Sequence, residues 1–338
     1  MKFPRPKQVV YCNNKGGVGK TTLAFNTAVS FAEKGYKTVL IDLDPQCNLS
    51  LLALGAEFYE NTLFSDPSRK DIYHILEKKI TGSGDVDLHV PLRELQPNLF
   101  ILPGSLNLSL FENILLNSLN EAAAGGMRGY SDTSAIDRYL RHVGQEQQID
   151  IFVIDTSPSL GILNRVIFLG ADYFVVPMMA DSFSVQGIEN LGIVFEQWKK
   201  QWKNTAIAVA GSTPKSHVLN GDCLFIGYMI NHHIVYAQKV VKRQREWLER
   251  IPQKVKEFLS ERHCRNGLVE KSWRNPLGIM QDYGQLAAIS MENNRAIHTF
   301  DAGFVKELNI EGTKQVFEKA KDEFETLANG ILKVLSEY

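Results

Sequence analysis

Lys15-Gly16-Gly17-Val18-Gly19-Lys20-Thr21-Thr22 is the stretch on which the fold of this chain turns. It follows the apolar run Val9-Val10-Tyr11-Cys12 and opens a helical pattern that runs from Leu23-Ala24-Phe25 to Phe31-Ala32. Strand, glycine loop, helix is the order in which such a loop becomes a phosphate site instead of a plain turn. The glycines let successive backbone N–H groups turn inward as a nest, and the helix N-terminus adds the positive end of its dipole. Gly16, Gly17, Val18, Gly19, Lys20, Thr21 and Thr22 are therefore expected to cradle a polyphosphate. Lys20 is placed to reach the β- and γ-phosphates, and the Thr21 hydroxyl to ligate Mg²⁺. The general pattern asks for a glycine at the head of the loop; Asn14 holds that place, and a second lysine, Lys15, sits inside the loop.

Working outward, the 338 residues suffice for one large α/β domain or two modest ones. An apolar fraction of 44% and a charged fraction of 22% are ordinary for a globular chain. The formal net charge of −1 implies no general attraction to nucleic acid, so any such surface must be a local patch. Cys12, Cys47, Cys223 and Cys264 are far apart and form no CxxC pair, which fits a reducing compartment and argues against a disulfide scaffold or a zinc site. No apolar run approaches a membrane span and no signal-peptide core opens the chain, so a cytoplasmic location is expected.

The next strand, Thr38-Val39-Leu40-Ile41, follows a helix stop at Gly35 and ends in Asp42-Leu43-Asp44-Pro45-Gln46, then Asn48-Leu49-Ser50. Carboxylates at i and i+2 on an extended segment point to one side, which at the C-terminal edge of a parallel sheet faces the ligand crevice. Ile151-Phe152-Val153-Ile154-Asp155 is a continuous apolar strand ending in a carboxylate, the Walker B arrangement, with Asp155 as the Mg²⁺ residue. Asn98 to Gly104, Asp172 to Pro177 and Phe225 to Asn231 read as further buried strands. The pattern predicts a mostly parallel twisted sheet with helices on both faces. Ile72 to Leu76 reads as a short helix with His74 on its surface, Gly125 to Asp132 as a flexible surface loop, Ser134 to Val143 as a helix, and 204–222 as a polar surface insertion.

The loop KGGVGKTT, the motif DxDPQ, the "nLxllP"-like strand at Asn98-Leu99-Phe100-Ile101-Leu102-Pro103 and the run Asp155-Thr156-Ser157-Pro158-Ser159-Leu160-Gly161 together resemble the ParA/MinD family of deviant Walker A ATPases, and most closely its ParA-type partitioning members. The chain departs from the family pattern at Cys47, where glycine is usual, and at Ser157, where the first proline of D-x-P-P-S-L-G would stand. The resemblance covers about residues 8–50 and 98–195 with specific motifs. It implies a P-loop three-layer α/β sandwich in which residues 1–338 form one ATPase domain, with a basic helical part over about 236–338 packed on it. It also implies that Lys15 reaches the nucleotide of a partner subunit, that Asp44 positions the attacking water, that Asp42 helps hold the Mg²⁺ shell, and that Asn231 meets the adenine. Asn231 is equally well read as an ordinary strand stop. The implied function is a switch: ATP with Mg²⁺ closes a homodimer, the dimer binds DNA non-specifically, and a ParB-like or other partner stimulates hydrolysis, with nucleoid association in the DNA-bound state.

Two tracts late in the chain stay open from sequence. Lys239, Lys242, Arg243, Arg245, Arg250, Lys254 and Lys256, then Arg262, Arg265, Lys271 and Arg274, outnumber the acidic residues among them. They suit either a phosphate-binding face, with Lys239, Lys242, Arg243 and Arg245 as its core, or a solvated helix with i,i+4 ion pairs. The C-terminal pattern Val316, Phe317, Ala320, Phe324, Leu327, Ile331 and Leu335 has helical spacing. A membrane-targeting helix of MinD type is the alternative there, but the acidic opposite face favours packing on the body. Rival classes are an iron–sulfur reductase, for which paired cysteines are wanting, a tyrosine kinase, for which a terminal tyrosine cluster is wanting, and a ParA-like gate of a partner protein in a mobile-element or defence system.

Overall fold

The computed structural model describes every residue except 1, 62–69, 209–212, 234, 237–238, 241, 266–267, 302, 305–313 and 338, and the side chains of 59–61, 207–208, 232–243 and 314–315 likewise lie outside the description. Strand β1 is Lys7–Tyr11, β2 Thr38–Leu43, β3 Arg93–Gln96, β4 Leu99–Leu102, β5 Ile151–Thr156, β6 Tyr173–Met179 and β7 Leu224–His233. Val235–Tyr236 (β8) and Lys239–Val240 (β9) pair with each other, and Gly278–Gln281 is β10. An eight-stranded sheet runs in the order β10-β7-β6-β1-β5-β2-β4-β3, parallel throughout except for the antiparallel pair β3 and β4.

Period-two alternation along these strands creates two cores. Val9, Tyr11, Leu40 and Val153 face one side; Val10, Val39, Ile41 and Ile154 face the other. Helices α1 (Lys20–Glu33) and α2 (Asn48–Leu54) lie on the first side, and the short α3 (Ala56–Asn61) follows α2. The second is covered by α4 (Ile72–Ile80), α5 (Leu108–Ala123), α6 (Met127–Thr133), α7 (Ala135–Glu146), α8 (Ile162–Gly170) and the long α9 (Ser182–Ala208). Both faces of the central strands are covered, which explains their unbroken apolar runs.

The later chain divides between the faces. Helix α10 (Lys242–Val255) and a π-type turn over Lys256–Ser260 pack on α9, followed by α11 (Glu261–His263) and α12 (Val269–Arg274). The approach is close: a Cβ on Gly192 of α9 would lie 2.2 Å from the Phe258 carbonyl oxygen. Strand β10 then joins the sheet edge, and α13 (Gln285–Glu292) and α14 (Lys314–Glu337) return to the α1 side. Phe317, Ala320, Phe324, Leu327, Ile331 and Leu335 of α14 are buried against α1 and β10, so its apolar stripe is core. No helix among the described residues is long and apolar enough to cross a membrane.

Two segments differ from the sequence expectation. Within Gly125–Asp132, expected as a flexible surface loop, α6 starts at Met127 and runs to Thr133, with Tyr130 fully buried, its ring 5.7 Å from that of Trp202 and its hydroxyl donating to the Thr205 carbonyl at 3.0 Å. Gly129 allows this: a Cβ there would lie 2.3 Å from the Ala122 nitrogen of α5, so a residue that reads as loop-forming is required by helix–helix contact. Within 204–222, expected as a surface insertion, α9 continues to Ala208, and Leu219 is buried while its carbonyl accepts from Trp202 Nε1 at 3.0 Å. Strand β3 was not legible because an edge strand carrying Arg93, Glu94 and Gln96 has no apolar alternation to show. His74 sits on the surface of α4, where it and Asp71 form a capping box, with Nδ1 2.8 Å from the carboxylate.

Candidate active site

Every motif singled out in the N-terminal half ends at one edge of the sheet. Strand β1 delivers the glycine loop, and pairing in register sets Asp155 of β5 beside Tyr11 on one flank and Asp42 of β2 on the other. The loop turns through left-handed backbone at Gly17 (φ +71°) and Gly19 (φ +83°), and α1 starts at Lys20. A Cβ on Gly19 would lie 2.0 Å from Asn231 Nδ2, so glycine is demanded there by conformation and by space.

An open cleft of about 260 Å³ lies in front of the loop. Gly16, Gly17, Gly19, Lys20, Thr21 and Thr22 line one side, Asp44, Asn48 and Pro158 the next, and Leu52, Ala287 and Met291 supply an apolar wall. Lys20 is buried, which lowers the ammonium pKa, while Asp155 and Asp44 nearby counter that shift. Thr21 Oγ1 donates to Asp155 Oδ2 at 2.7 Å. The other oxygen, Asp155 Oδ1, is buried without a hydrogen-bond partner among the described residues. Burial, and then the neighbouring Asp42, push this carboxyl up to about 7. A carboxylate with an orphaned oxygen beside a threonine hydroxyl fits a divalent cation that takes few protein ligands and shares the rest with phosphate oxygens. Among the described residues no cluster of three or more His, Cys, Asp or Glu offers a dedicated metal cage.

The second aspartate motif divides its carboxylates between two tasks. Asp44 lines the cleft, its Oδ1 accepting from the Gln46 amide at 3.0 Å. Asp42, expected in the metal shell, is fully buried and is engaged by its own chain. Its Oδ2 accepts from the Ser50 amide at 2.8 Å and the Ser50 hydroxyl at 2.6 Å, and Oδ1 from the Asp44 amide at 3.2 Å. Burial pushes its pKa up to about 6, with the Ser50 and Asp44 hydrogen bonds opposing the shift.

Lys15 and Asn231 stand differently from their sequence expectations. Lys15 Nζ forms an ion pair with Asp181 at the start of α9, lies 3.9 Å from Met179 Sδ and 5.8 Å from the centre of the exposed Phe183 ring, and is not in the cleft lining. Asn231 lies behind the loop: its Nδ2 donates to the Val18 carbonyl at 3.0 Å, and it too is absent from the cleft lining. Sequence reasoning missed Asn13, whose Nδ2 donates to the Pro177 carbonyl at 2.6 Å and whose Oδ1 accepts from the Lys15 amide at 2.9 Å. That side chain ties the entry of the loop to the end of β6. A lone Asn before a glycine loop carries no signal of this, because Pro177 is distant in sequence. Asn14 is half-buried, and its Oδ1 has no hydrogen-bond partner among the described residues.

The basic tract is largely neutralised where its side chains are described. Arg245 pairs with Glu249, Lys254 with Glu189, Lys256 with Glu261, Arg262 with Glu196, Lys271 with Glu337 and Arg274 with Glu270. Three of those carboxylates (Glu189, Glu196 and Glu337) come from outside the tract, which sequence counting could not see. The side chains of Lys239, Lys242 and Arg243 lie outside the described residues.

Comparison with known proteins agrees with this geometry. Residues 6–209 match the family model described as an AAA domain. The chain is 30% identical over 212 residues to the chromosome-partitioning ATPase Soj of Treponema pallidum, covering 61% of this chain and 69% of that one. It is 29% identical over 210 residues to the virulence plasmid ParA family protein pGP5-D of Chlamydia psittaci, covering 58% and 71%. Among solved structures, protein DIP2308 from Corynebacterium diphtheriae superposes with a TM-score of 0.69 at 26% identity, over 85% of this chain and 97% of that one. With the glycine loop, both aspartate strands and the mostly parallel sheet in place, the chain belongs to the ParA/MinD family of P-loop ATPases.

Proposed function

We propose that this ATPase is a nucleotide-controlled switch of ParA type, the whole chain acting as one unit. It binds ATP with Mg²⁺, closes as a homodimer, binds DNA without sequence preference in that state, and returns to the monomer when a ParB-like partner stimulates hydrolysis. The observation that carries the proposal is the convergence of Lys20, Thr21, Asp155 and Asp44 on one phosphate-sized cleft at a helix N-terminus. The partitioning role rests on the name of the Treponema relative, a chromosome-partitioning ATPase, and the ParA type on that of the Chlamydia relative.

The chemistry follows from where charge builds up. In phosphoryl transfer it develops on the γ-phosphoryl oxygens and on the leaving oxygen, and fixed cationic groups and N–H dipoles lower the barrier. Lys20 Nζ and the amides of residues 16–22 supply such groups from within the subunit. Mg²⁺, held by Thr21 and Asp155, would neutralise part of the same charge. Asp44 orients the attacking water in line with the γ-phosphoryl group. Lys15 supplies a further cation to the other subunit's phosphates once it exchanges Asp181 for them, which makes turnover conditional on dimerisation. DNA contact falls to Lys239, Lys242 and Arg243, with Arg245 joining them by exchanging its exposed i,i+4 pair with Glu249 for phosphate, since most described cations further along are paired with carboxylates of other segments or of their own helices.

Light scattering of the purified protein tests the switch: the mass is expected to double with ATP and to fall back as ATP is consumed. Lys20→Ala is expected to abolish ATP binding, because it removes the charge that faces two phosphates from a buried position. Wild-type ATP affinity in that variant, measured by titration, would remove the basis of the proposal.

A further inference from the structure

We propose that Ser50 and Gly104 form with Asp42 an internal clamp whose task is to hold Asp44 in place, which makes Ser50, Gly104 and Asp42 positioning residues for ATP hydrolysis. The proposal rests on Asp44 orienting the attacking water. Three segments meet here: the end of β2, the first turn of α2 and the end of β4. The Gly104 amide donates to Ser50 Oγ at 2.8 Å, Ser50 Oγ donates to Asp42 Oδ2 at 2.6 Å, and Asp42 Oδ1 accepts from the Asp44 amide at 3.2 Å. The Ser50 amide adds a second donor to Oδ2 at 2.8 Å. One continuous relay of hydrogen bonds therefore runs from the β4 end to the backbone of the residue that lines the cleft.

The relay is built for a single geometry. Asp42 and Ser50 are fully buried, so no water competes for their hydrogen bonds and removing a partner leaves a stranded polar group. Gly104 cannot be replaced without displacement: a Cβ there would lie 2.9 Å from Asp42 Cγ, 3.0 Å from Oδ2 and 3.2 Å from Cys47 Sγ. The absence of a side chain is what lets its amide approach. The far side of Asp44 is tied as well, since its carbonyl accepts from the Cys47 amide at 2.8 Å across a turn in which Cys47 adopts φ +55°. Asp44 is thus held at its amide by Asp42, at its carbonyl by Cys47 and at Oδ1 by Gln46. A buried carboxylate with three donors from its own chain is costly to assemble. What it does supply is a fixed direction for the Asp44 backbone. Orientation of this kind acts on turnover, where a displacement of about 1 Å can change rates by about 100-fold.

Ser50→Ala removes the central atom of the relay and tests the proposal. The expected result is a kcat for ATP hydrolysis about 10- to 100-fold lower with KM within about 2-fold of wild type, following the size of orientation effects. Affinity for a non-hydrolysable ATP analogue should be retained, since Ser50 lies outside the cleft lining. Ser50→Thr restores a hydroxyl and should regain most of the turnover. The double variant Ser50→Ala/Asp44→Ala should be no slower than Asp44→Ala alone, because both substitutions remove the same function. Wild-type kcat in Ser50→Ala, an additive cycle, or a parallel loss of analogue binding or of the cooperative thermal transition would overturn the clamp. Asp44→Ala by itself separates the two claims: wild-type turnover in that variant refutes the role of Asp44, whereas a slow Asp44→Ala beside a fast Ser50→Ala refutes only the clamp.

Discussion

Replacing Asn231 by alanine asks whether this side chain reads the nucleotide base or braces the loop that holds the phosphates. The substitution deletes the Nδ2 donor to the Val18 carbonyl, a 3.0 Å hydrogen bond at a buried position. Leaving that carbonyl without its donor costs about 1–3 kcal/mol. If the unbraced loop leaves its nest conformation, the loss appears in ligand affinity as roughly a 5- to 150-fold weaker Kd. A brace acts before the ligand is recognised, so ATP and inorganic tripolyphosphate should weaken by the same factor. Gly19→Ala attacks the same contact from the other side: it places a methyl 2.0 Å from Nδ2 at a residue with φ +83°. The backbone strain alone is about 1–2 kcal/mol. In Gly19→Ala/Asn231→Ala the clash is gone, so the double variant should bind better than the sum of the single losses implies. Calorimetric titration of both ligands with all three variants provides the measurement. A fall in ATP affinity with unchanged tripolyphosphate affinity would refute the brace and return Asn231 to the base, and unchanged affinity for both would refute any role in binding.

Lys15→Ala should leave ATP affinity within a few-fold of wild type and abolish ATP-dependent dimerisation, whereas Asp181→Ala, which frees the same ammonium, should dimerise at lower protein concentration; identical light-scattering titrations for both variants and wild type would mean that Lys15 serves only its own loop. Charge reversal at Lys242, Arg243 and Arg245 should weaken binding to random-sequence duplex in a mobility shift and flatten its salt dependence by about 0.9 in log–log slope for each phosphate no longer neutralised. Basal ATP turnover should persist in that variant, and an unchanged shift would move the DNA surface elsewhere. Phe324→Ala should destabilise the fold by about 3–5 kcal/mol in chemical denaturation, the usual range for a large buried aromatic; a loss below about 0.5 kcal/mol, the ordinary range for surface substitutions, would show that α14 is not part of the core.

Several parts of the molecule are written locally in the chain. The glycine loop, the strands ending in Asp42 and Asp155, and the alternation that makes both cores depend on residues a few positions apart, and backbone periodicity converts such patterns directly into structure. The α14 stripe is of the same kind, since helical spacing alone shows which residues turn inward. Other parts depend on partners far away. Gly129 reads as a loop breaker until the α5 backbone is set against it. Glu189, Glu196 and Glu337 neutralise a tract that looks cationic when counted along the chain. Asp42 and Asp44 are two residues apart and by strand periodicity both face the crevice, yet one points into a relay through Ser50 to Gly104 and the other into the cleft. Lys15 looks free in sequence and is paired with Asp181 in the fold. Local sequence determines which backbone conformations and faces are favoured, because those terms involve neighbours on the same segment. Which polar group meets which, and therefore the task left to each charge, was decided only when strands and helices distant in sequence were packed edge to edge.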